Sequence, residues 1–262
     1  MKARLDYVWR LFATAIVWLW FAVLCLAMNF VVLPVARFGR PATAAQLHAQ
    51  AILHRAARRY VRFAQRLGVF DFDAQGAERL VEDGPHLVVA NHPGLLDVVY
   101  LLALMPQADC IISASRADNF FLGGIARGAG YLRNDLGHDI VRECVQRLRA
   151  GRSVIVFPEG TRSPASGLGT FHRGAARIAL EAGCDLLPVF LRYDPPALGK
   201  GRHWFDLPER RFHASVRVGR ALRSAPVLEA LHSGRVTRSV AARHLTSQLR
   251  EIIAKELDLV VA

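Results

Sequence analysis

Residues 86–97 read His86-Leu87-Val88-Val89-Ala90-Asn91-His92-Pro93-Gly94-Leu95-Leu96-Asp97, and this stretch decides the fold class. Leu87 to Ala90 is a short apolar run rich in β-branched side chains, the pattern of a buried strand. It stops at Asn91-His92-Pro93-Gly94, where proline and glycine punctuate the backbone, and an apolar segment long enough for a helix follows from Leu95 to Leu104. His92 is therefore expected in a loop leaving a strand, with Asp97 in the first turn of the next element. Such a loop can hold an imidazole at the mouth of a cleft. The carboxylate can fold back to fix its tautomer and stabilise the imidazolium. A simpler account also fits these residues: a histidine in a turn and an aspartate favoured by a helix N-terminus.

On either side, strand-like and helix-like segments alternate. Val69 to Asp73, Ala108 to Ser113, Ser153 to Phe157, Leu186 to Leu191 and Ala214 to Val218 read as strands. Ile140 to Ala150, Gly174 to Ala182 and Val236 to Leu257 carry helical spacing, residues 120–129 are loosely helical or looped, and residues 194–212 are loop-like. Strands separated by helices predict an α/β domain over residues 69–262. Residues 1–68 separate from it as two N-terminal helices.

The first of these, Leu11 to Val35, is apolar except for Thr14 and Asn29. As a helix it would extend about 37 Å, against roughly 30 Å of bilayer hydrocarbon. It is too long for the apolar core of a secretory signal, and Arg37 and Arg40 precede the only cleavage-like site, so membrane attachment is expected. Lys2, Arg4 and Arg10 before it and Arg37, Arg40 and Arg55 after it balance, which leaves spanning and one-leaflet arrangements both open. Residues 42–68 form an amphipathic helix rich in arginine, suited to a membrane surface. The chain carries a formal net charge of +12, with lysine only at Lys2, Lys200 and Lys255, which suits an anionic partner. Cys25, Cys110, Cys144 and Cys184 are too dispersed for a disulfide framework or a zinc site.

Three loops expected to leave strands carry polar groups: Asn91-His92 with Asp97, Arg133-Asn134-Asp135, and Pro158-Glu159-Gly160-Thr161-Arg162. In an open α/β sheet, ligands bind where loops leave the carboxyl ends of strands. A histidine–aspartate pair, a glutamate in a glycine turn and arginines can together form a pocket for an anionic substrate. The chain has no G-x-S-x-G elbow and no phosphate-binding P-loop. Its ten histidines are scattered, giving no expected metal site, and no nucleic-acid-binding motif is present.

Asn91-His92 followed by Asp97, Phe157-Pro158-Glu159-Gly160-Thr161-Arg162 and Leu187-Pro188-Val189 resemble the lysophospholipid acyltransferase family, which includes bacterial 1-acylglycerol-3-phosphate acyltransferases. The resemblance covers roughly residues 80–220. It implies a mixed sheet flanked by helices, and a membrane-associated enzyme that moves an acyl chain from acyl-CoA or acyl-carrier protein to a lysolipid hydroxyl. No resident cofactor is implied, because the thioester is a co-substrate. His92 would be the general base, with Asp97 orienting it. Asn91, Glu159, Gly160, Thr161 and Arg162 would shape the acceptor pocket, while Arg133 and, upstream, Arg116 would bind the acceptor's phosphate. Such a protein would sit on the cytoplasmic face of the cell membrane. Gly94 stands where the family often has serine, and the segment around Arg133 matches loosely, so a lyso-aminolipid or specialised lipid is an alternative acceptor. A thioester hydrolase and a non-catalytic lipid-binding protein of the same fold are the other readings.

Overall fold

The computed structural model describes residues 2–258 apart from Asp83 and His138; the charges at Lys2 and Arg4 and the final residues 259–262 lie outside the described residues. Seven strands form one sheet in the order β1-β7-β6-β2-β5-β3-β4. They are β1 (Phe70–Gln75), β2 (Leu87–Ala90), β3 (Asp109–Ile112), β4 (Leu132–Arg133), β5 (Val154–Val156), β6 (Leu186–Asp194) and β7 (Phe212–Val218). The five strands from β6 to β4 run parallel, whereas β7 is antiparallel to β6 and β1 is parallel to β7. The sheet is therefore mixed.

β2 is central, with Leu87 opposite Val154 of β5 on one side and Leu186 of β6 on the other. Its uniform apolarity follows from burial on both faces. Val88 and Ala90 join a core with α3 (Ala42–Arg66) and α4 (Asp97–Leu104). Leu87 and Val89 join the opposite core with α7 (Asp139–Arg149), α8 (Gly174–Ala182) and α10 (Arg238–Glu256). Two short helices, α5 (Ala114–Ala117) and α6 (Gly123–Ala129), occupy the β3–β4 connection, and α9 (Ala225–His232) precedes α10. Proline at the start of α9 fits a first helical turn, where its missing N–H costs nothing.

The N-terminal apolar segment forms α1 (Lys2–Ala27), a π-helical turn over Met28–Val32, and α2 (Leu33–Arg37). Ala13, Val17, Cys25, Met28 and Leu33 are buried, while Leu19, Trp20, Val23, Phe30 and Val31 on other faces are exposed. The buried stripe follows the domain along most of the helix. Trp9 Nε1 donates to the Leu67 carbonyl at 3.2 Å, Trp18 meets Trp204, Phe21 meets Tyr60, and Asn29 Nδ2 donates to the Phe120 carbonyl at 3.0 Å. Arg10, expected as a flanking surface charge, is buried. It donates to the carbonyls of Pro208 and Glu209 at 2.9 and 2.7 Å and pairs with Asp6, so its guanidinium is bonded where it packs against the domain.

α3 is amphipathic as expected, with Leu53, Ala57, Tyr60 and Val61 buried and Arg55, Arg58, Arg59, Arg62 and Arg66 exposed. A polar contact fixes it to the sheet. Gln50 Nε2 donates to Asp109 Oδ1 at 3.0 Å and to the Ala129 carbonyl at 2.9 Å, while Arg152 Nη2 reaches the same carboxylate oxygen at 2.6 Å. Removing the carboxylate leaves a buried guanidinium without its counter-charge. Asp109→Leu is expected to lower unfolding free energy by about 3–5 kcal/mol in urea denaturation. Asp109 Oδ2 and Arg152 Nε already lack partners among the described residues, so Asp109→Leu with Arg152→Met should recover most of that loss.

Candidate active site

The loop after β2 and the first turn of α4 bring His92 and Asp97 together. His92 Nδ1 lies 2.7 Å from Asp97 Oδ2. A carboxylate only accepts, so Nδ1 carries the proton and the Nε2 lone pair of the neutral ring is left free. The Asp97 side chain is fully buried and the His92 side chain is 19% exposed, enough to meet a substrate. Asp97 accepts two further bonds, from the Gly94 N–H at 2.8 Å on Oδ2 and from the Tyr193 hydroxyl at 2.5 Å on Oδ1. The Phe157 ring stacks on the imidazole with centroids 4.3 Å apart.

The loop after β5 closes over the backbone of His92. Glu159, buried, accepts from the His92 N–H at 3.2 Å and the Ser163 hydroxyl at 2.6 Å through Oε1, and from the Gly169 N–H at 2.7 Å through Oε2. The Ser163 N–H donates to the His92 carbonyl at 2.7 Å. Glu159 thus meets the histidine from behind, at its backbone. Gly160 makes the turn at φ +65°, its N–H donating to the Phe157 carbonyl at 3.0 Å. Thr161 is exposed. Arg162 Nη1 donates to the carbonyls of Leu198 and Gly199 at 3.1 and 2.8 Å, and the Leu198 carbonyl also accepts from the Leu95 N–H. Asn91 is buried and bonds both ways to the Leu191 main chain at 2.8 Å, extending the β2–β6 ladder. Its amide joins the two strands.

The basic residues differ from one another. Arg116, on α5 just past β3, is exposed and makes no ion pair among the described residues. Arg133, at the end of β4, lies between Asp135 and Asp118, at 2.9 and 2.7 Å. Those carboxylates hold the guanidinium above its ordinary value, and Arg133 in turn lowers Asp135. The trio carries a formal charge of −1. Among the described residues no group of three or more histidine, cysteine, aspartate or glutamate side chains is arranged to hold a metal.

A family profile described as Acyltransferase matches residues 71–192, the stretch that holds both the histidine–aspartate loop and the glutamate turn. Residues 71–192 thus resemble the acyltransferase family. It is 33% identical over 132 residues to the chloroplastic 1-acyl-sn-glycerol-3-phosphate acyltransferase BAT2 of Brassica napus, over 45% of this chain and 36% of that one. It is 35% identical over 114 residues to the lyso-ornithine lipid O-acyltransferase of Pseudomonas aeruginosa, over 42% of this chain and 43% of that one. The chain thus spans between about a third and a half of the length of these curated relatives. The crystal structure of the 1-acyl-sn-glycerophosphate acyltransferase PlsC from Thermotoga maritima shares the fold, with a TM-score of 0.63 over 95% of this chain and 97% of that one, at 18% identity.

Three contributors to this site are not evident from motif spacing: Ser163, Tyr193 and Phe157 as a stacking partner. Tyr193 has a signal in parity, since it continues the Leu187, Val189, Leu191 face of its strand towards α4. Ser163 has none, because its role depends on how a coil segment folds back. The cysteines stand apart from this chemistry. Burial pushes the Cys110 and Cys144 thiols up to about 12, so they are poor nucleophiles near neutrality.

Glu159→Gln replaces one acceptor oxygen with an NH₂ group facing an N–H or O–H donor. A loss of about 1–3 kcal/mol in stability is expected, read by thermal or urea unfolding. In kinetics the same variant should lower kcat more than it raises KM for the thioester.

Proposed function

We propose that this chain is a membrane-associated O-acyltransferase that moves a fatty acyl group from acyl-CoA or acyl-carrier protein to a lysolipid hydroxyl, most simply that of 1-acylglycerol-3-phosphate. The observation that supports this reading is the His92–Asp97 pair at 2.7 Å on the carboxyl edge of a family sheet. His92 Nε2 takes the proton of the acceptor hydroxyl as its oxygen attacks the thioester carbonyl. The tetrahedral intermediate then collapses, the C–S bond breaks, and the imidazolium returns the proton to the departing thiolate. Buried Asp97 stabilises the charged ring between those two steps.

The charge balance around Arg133 favours a second acceptor class. Asp118 and Asp135 already neutralise this guanidinium, leaving the trio net negative, so a phosphate there would compete with two carboxylates. An acceptor with its own ammonium group, such as a lyso-aminolipid, suits that surface better. Arg116 remains available for a phosphate or carboxylate.

Purified protein given acyl thioester and a panel of lysolipids tests both readings by mass spectrometry of the products. Acylated lysophosphatidate is expected on the first reading and an acylated lyso-aminolipid on the second. Thioester loss independent of any acceptor would instead indicate a hydrolase. His92→Ala should lower transfer about 10²–10⁴-fold, the usual contribution of a positioned base, with membrane binding retained. Transfer near the unmodified rate in that variant would rule out His92 as the base.

The apolar segment from Leu5 to Arg37 supports membrane attachment. Its docking from Trp9 to Asn29 against the α/β domain favours a helix lying within one leaflet, with the active site on the cytoplasmic side where acyl-CoA and acyl-carrier protein are found. Exposed Phe120, Phe121, Trp204 and Phe205 extend the same apolar surface from two loops of the domain. Burying one such ring is worth about 1.5–3 kcal/mol. Replacing all four with serine should therefore weaken flotation with anionic vesicles by at least tenfold. Tags at the two termini should be cleaved from the same membrane side, and opposite-side cleavage would mean that the helix spans.

A further inference from the structure

The carboxylate of Asp97 has one side-chain partner that the proton transfers above do not use. Tyr193 is almost wholly buried on β6, and its hydroxyl donates to Asp97 Oδ1, the oxygen not bonded to His92. The ring of Tyr193 also fills the space above Gly94. A Cβ at position 94 would lie 2.4 Å from its Cζ, 2.5 Å from its hydroxyl oxygen and 2.8 Å from its Cε2, so no side chain fits there while Tyr193 is in place. Gly94 has no left-handed φ, so the glycine is required by this contact and not by the backbone. The two positions are a matched pair: one supplies a hydroxyl to the carboxylate, and the other leaves room for it.

We propose that Tyr193 is a positioning residue for acyl transfer, holding the buried Asp97 carboxylate ionised and turned towards His92, and that Gly94 is its obligate complement. This rests on the reading of His92 as the base. A carboxylate with no solvent contact is costly unless its oxygens are bonded, and among the described residues only Tyr193 donates to Oδ1. Burial and the Asp97 charge push the Tyr193 hydroxyl well above its ordinary value, so it remains a donor across the neutral range. The other titratable groups packed nearby are Tyr100 on α4, whose hydroxyl lies towards Tyr193, and, beyond it, Tyr60 on α3. Glu159 touches His92 only at its backbone N–H.

The test is Tyr193→Phe, which keeps the ring and removes the donor. A drop in kcat on the order of ten- to a hundredfold is expected, with little change in thioester KM. The acid limb of the kcat/KM profile should also move to higher pH. With Oδ1 unbonded, the buried carboxylate's charge bears more fully on the imidazolium that this limb reports. A residue that merely fills space would lower activity without moving that limb. Wild-type kcat with an unmoved limb in Tyr193→Phe, alongside an inactive His92→Ala, overturns this proposal and leaves the base intact; an active His92→Ala overturns the base itself.

The complement gives a second test should Tyr193→Phe melt early. Gly94→Ser alone should lose activity, because its Cβ meets the ring. Gly94→Ser with Tyr193→Leu opens that space and sets a serine hydroxyl one bond beyond Cβ, close to where the tyrosine hydroxyl stood. It should exceed Tyr193→Leu alone in kcat by at least fivefold on the order of a lost charge-assisted bond. No gain over Tyr193→Leu would count against the pairing.

Discussion

A carboxylate shut away from water must take its stabilisation from donors fixed by the fold, and Asp97 takes them from two stretches, the loop joining β2 to α4 and the strand β6. The His92 imidazole comes from the loop after β2, the Gly94 N–H from the turn into α4, and the Tyr193 hydroxyl from β6. Each donor is placed by strand register, since β2 and β6 are direct neighbours and Ala90 stands opposite Val189. The ladder between β2 and β6, lengthened by the Asn91–Leu191 exchange, therefore sets the geometry of the histidine as much as the loop that carries it. Glu159 adds a second buried carboxylate behind the first, gripping the same loop by its main chain. Two acids of similar burial thus have different tasks: one polarises the ring, and the other holds the backbone that bears it.

Much of this is legible in the sequence because it is local. A four-residue apolar strand, a Pro-Gly turn and an aspartate five residues on describe β2, its loop and the start of α4 without reference to the rest of the chain. The alternating apolar and polar pattern similarly shows α3, α7 and α8. What escapes is long-range. Arg10 looks like a headgroup charge until it is seen bonded to the Pro208 and Glu209 carbonyls. Asn91 and Glu159 look like pocket residues because they flank His92 or share its cleft edge in a motif. Their side chains turn out to bond strand to strand and loop to loop, and no spacing rule distinguishes those tasks. The α9 helix has no counterpart among the expected elements; Pro226 occupies its first turn, where the missing N–H costs nothing.

The carboxyl edge of the sheet is electrostatically uneven. Near β2 and β5 the polar groups are almost all bonded to one another, whereas past β3 and β4 Arg116, with no ion pair among the described residues, accompanies an arginine already bracketed by acids. Binding at that end would be sensitive to the sign and number of charges on a headgroup, and to ionic strength, because those side chains are solvent-exposed. Chemistry at the other end would be almost indifferent to salt. Exposed charges and buried, bonded polar groups are in this way separated along one edge.

Arg10 has a mechanical consequence. With Trp9 tied to Leu67, Arg10 to Pro208 and Glu209, and Asn29 to Phe120, the apolar helix is riveted to the α/β domain near both of its ends. A rod fixed at two distant points can neither swivel nor telescope. If the rod floats at a given depth in lipid, the imidazole rides at a set height above it, as a keel sets the waterline of a hull. A hydroxyl would then be selected partly by how far it stands from the acyl chains that anchor it.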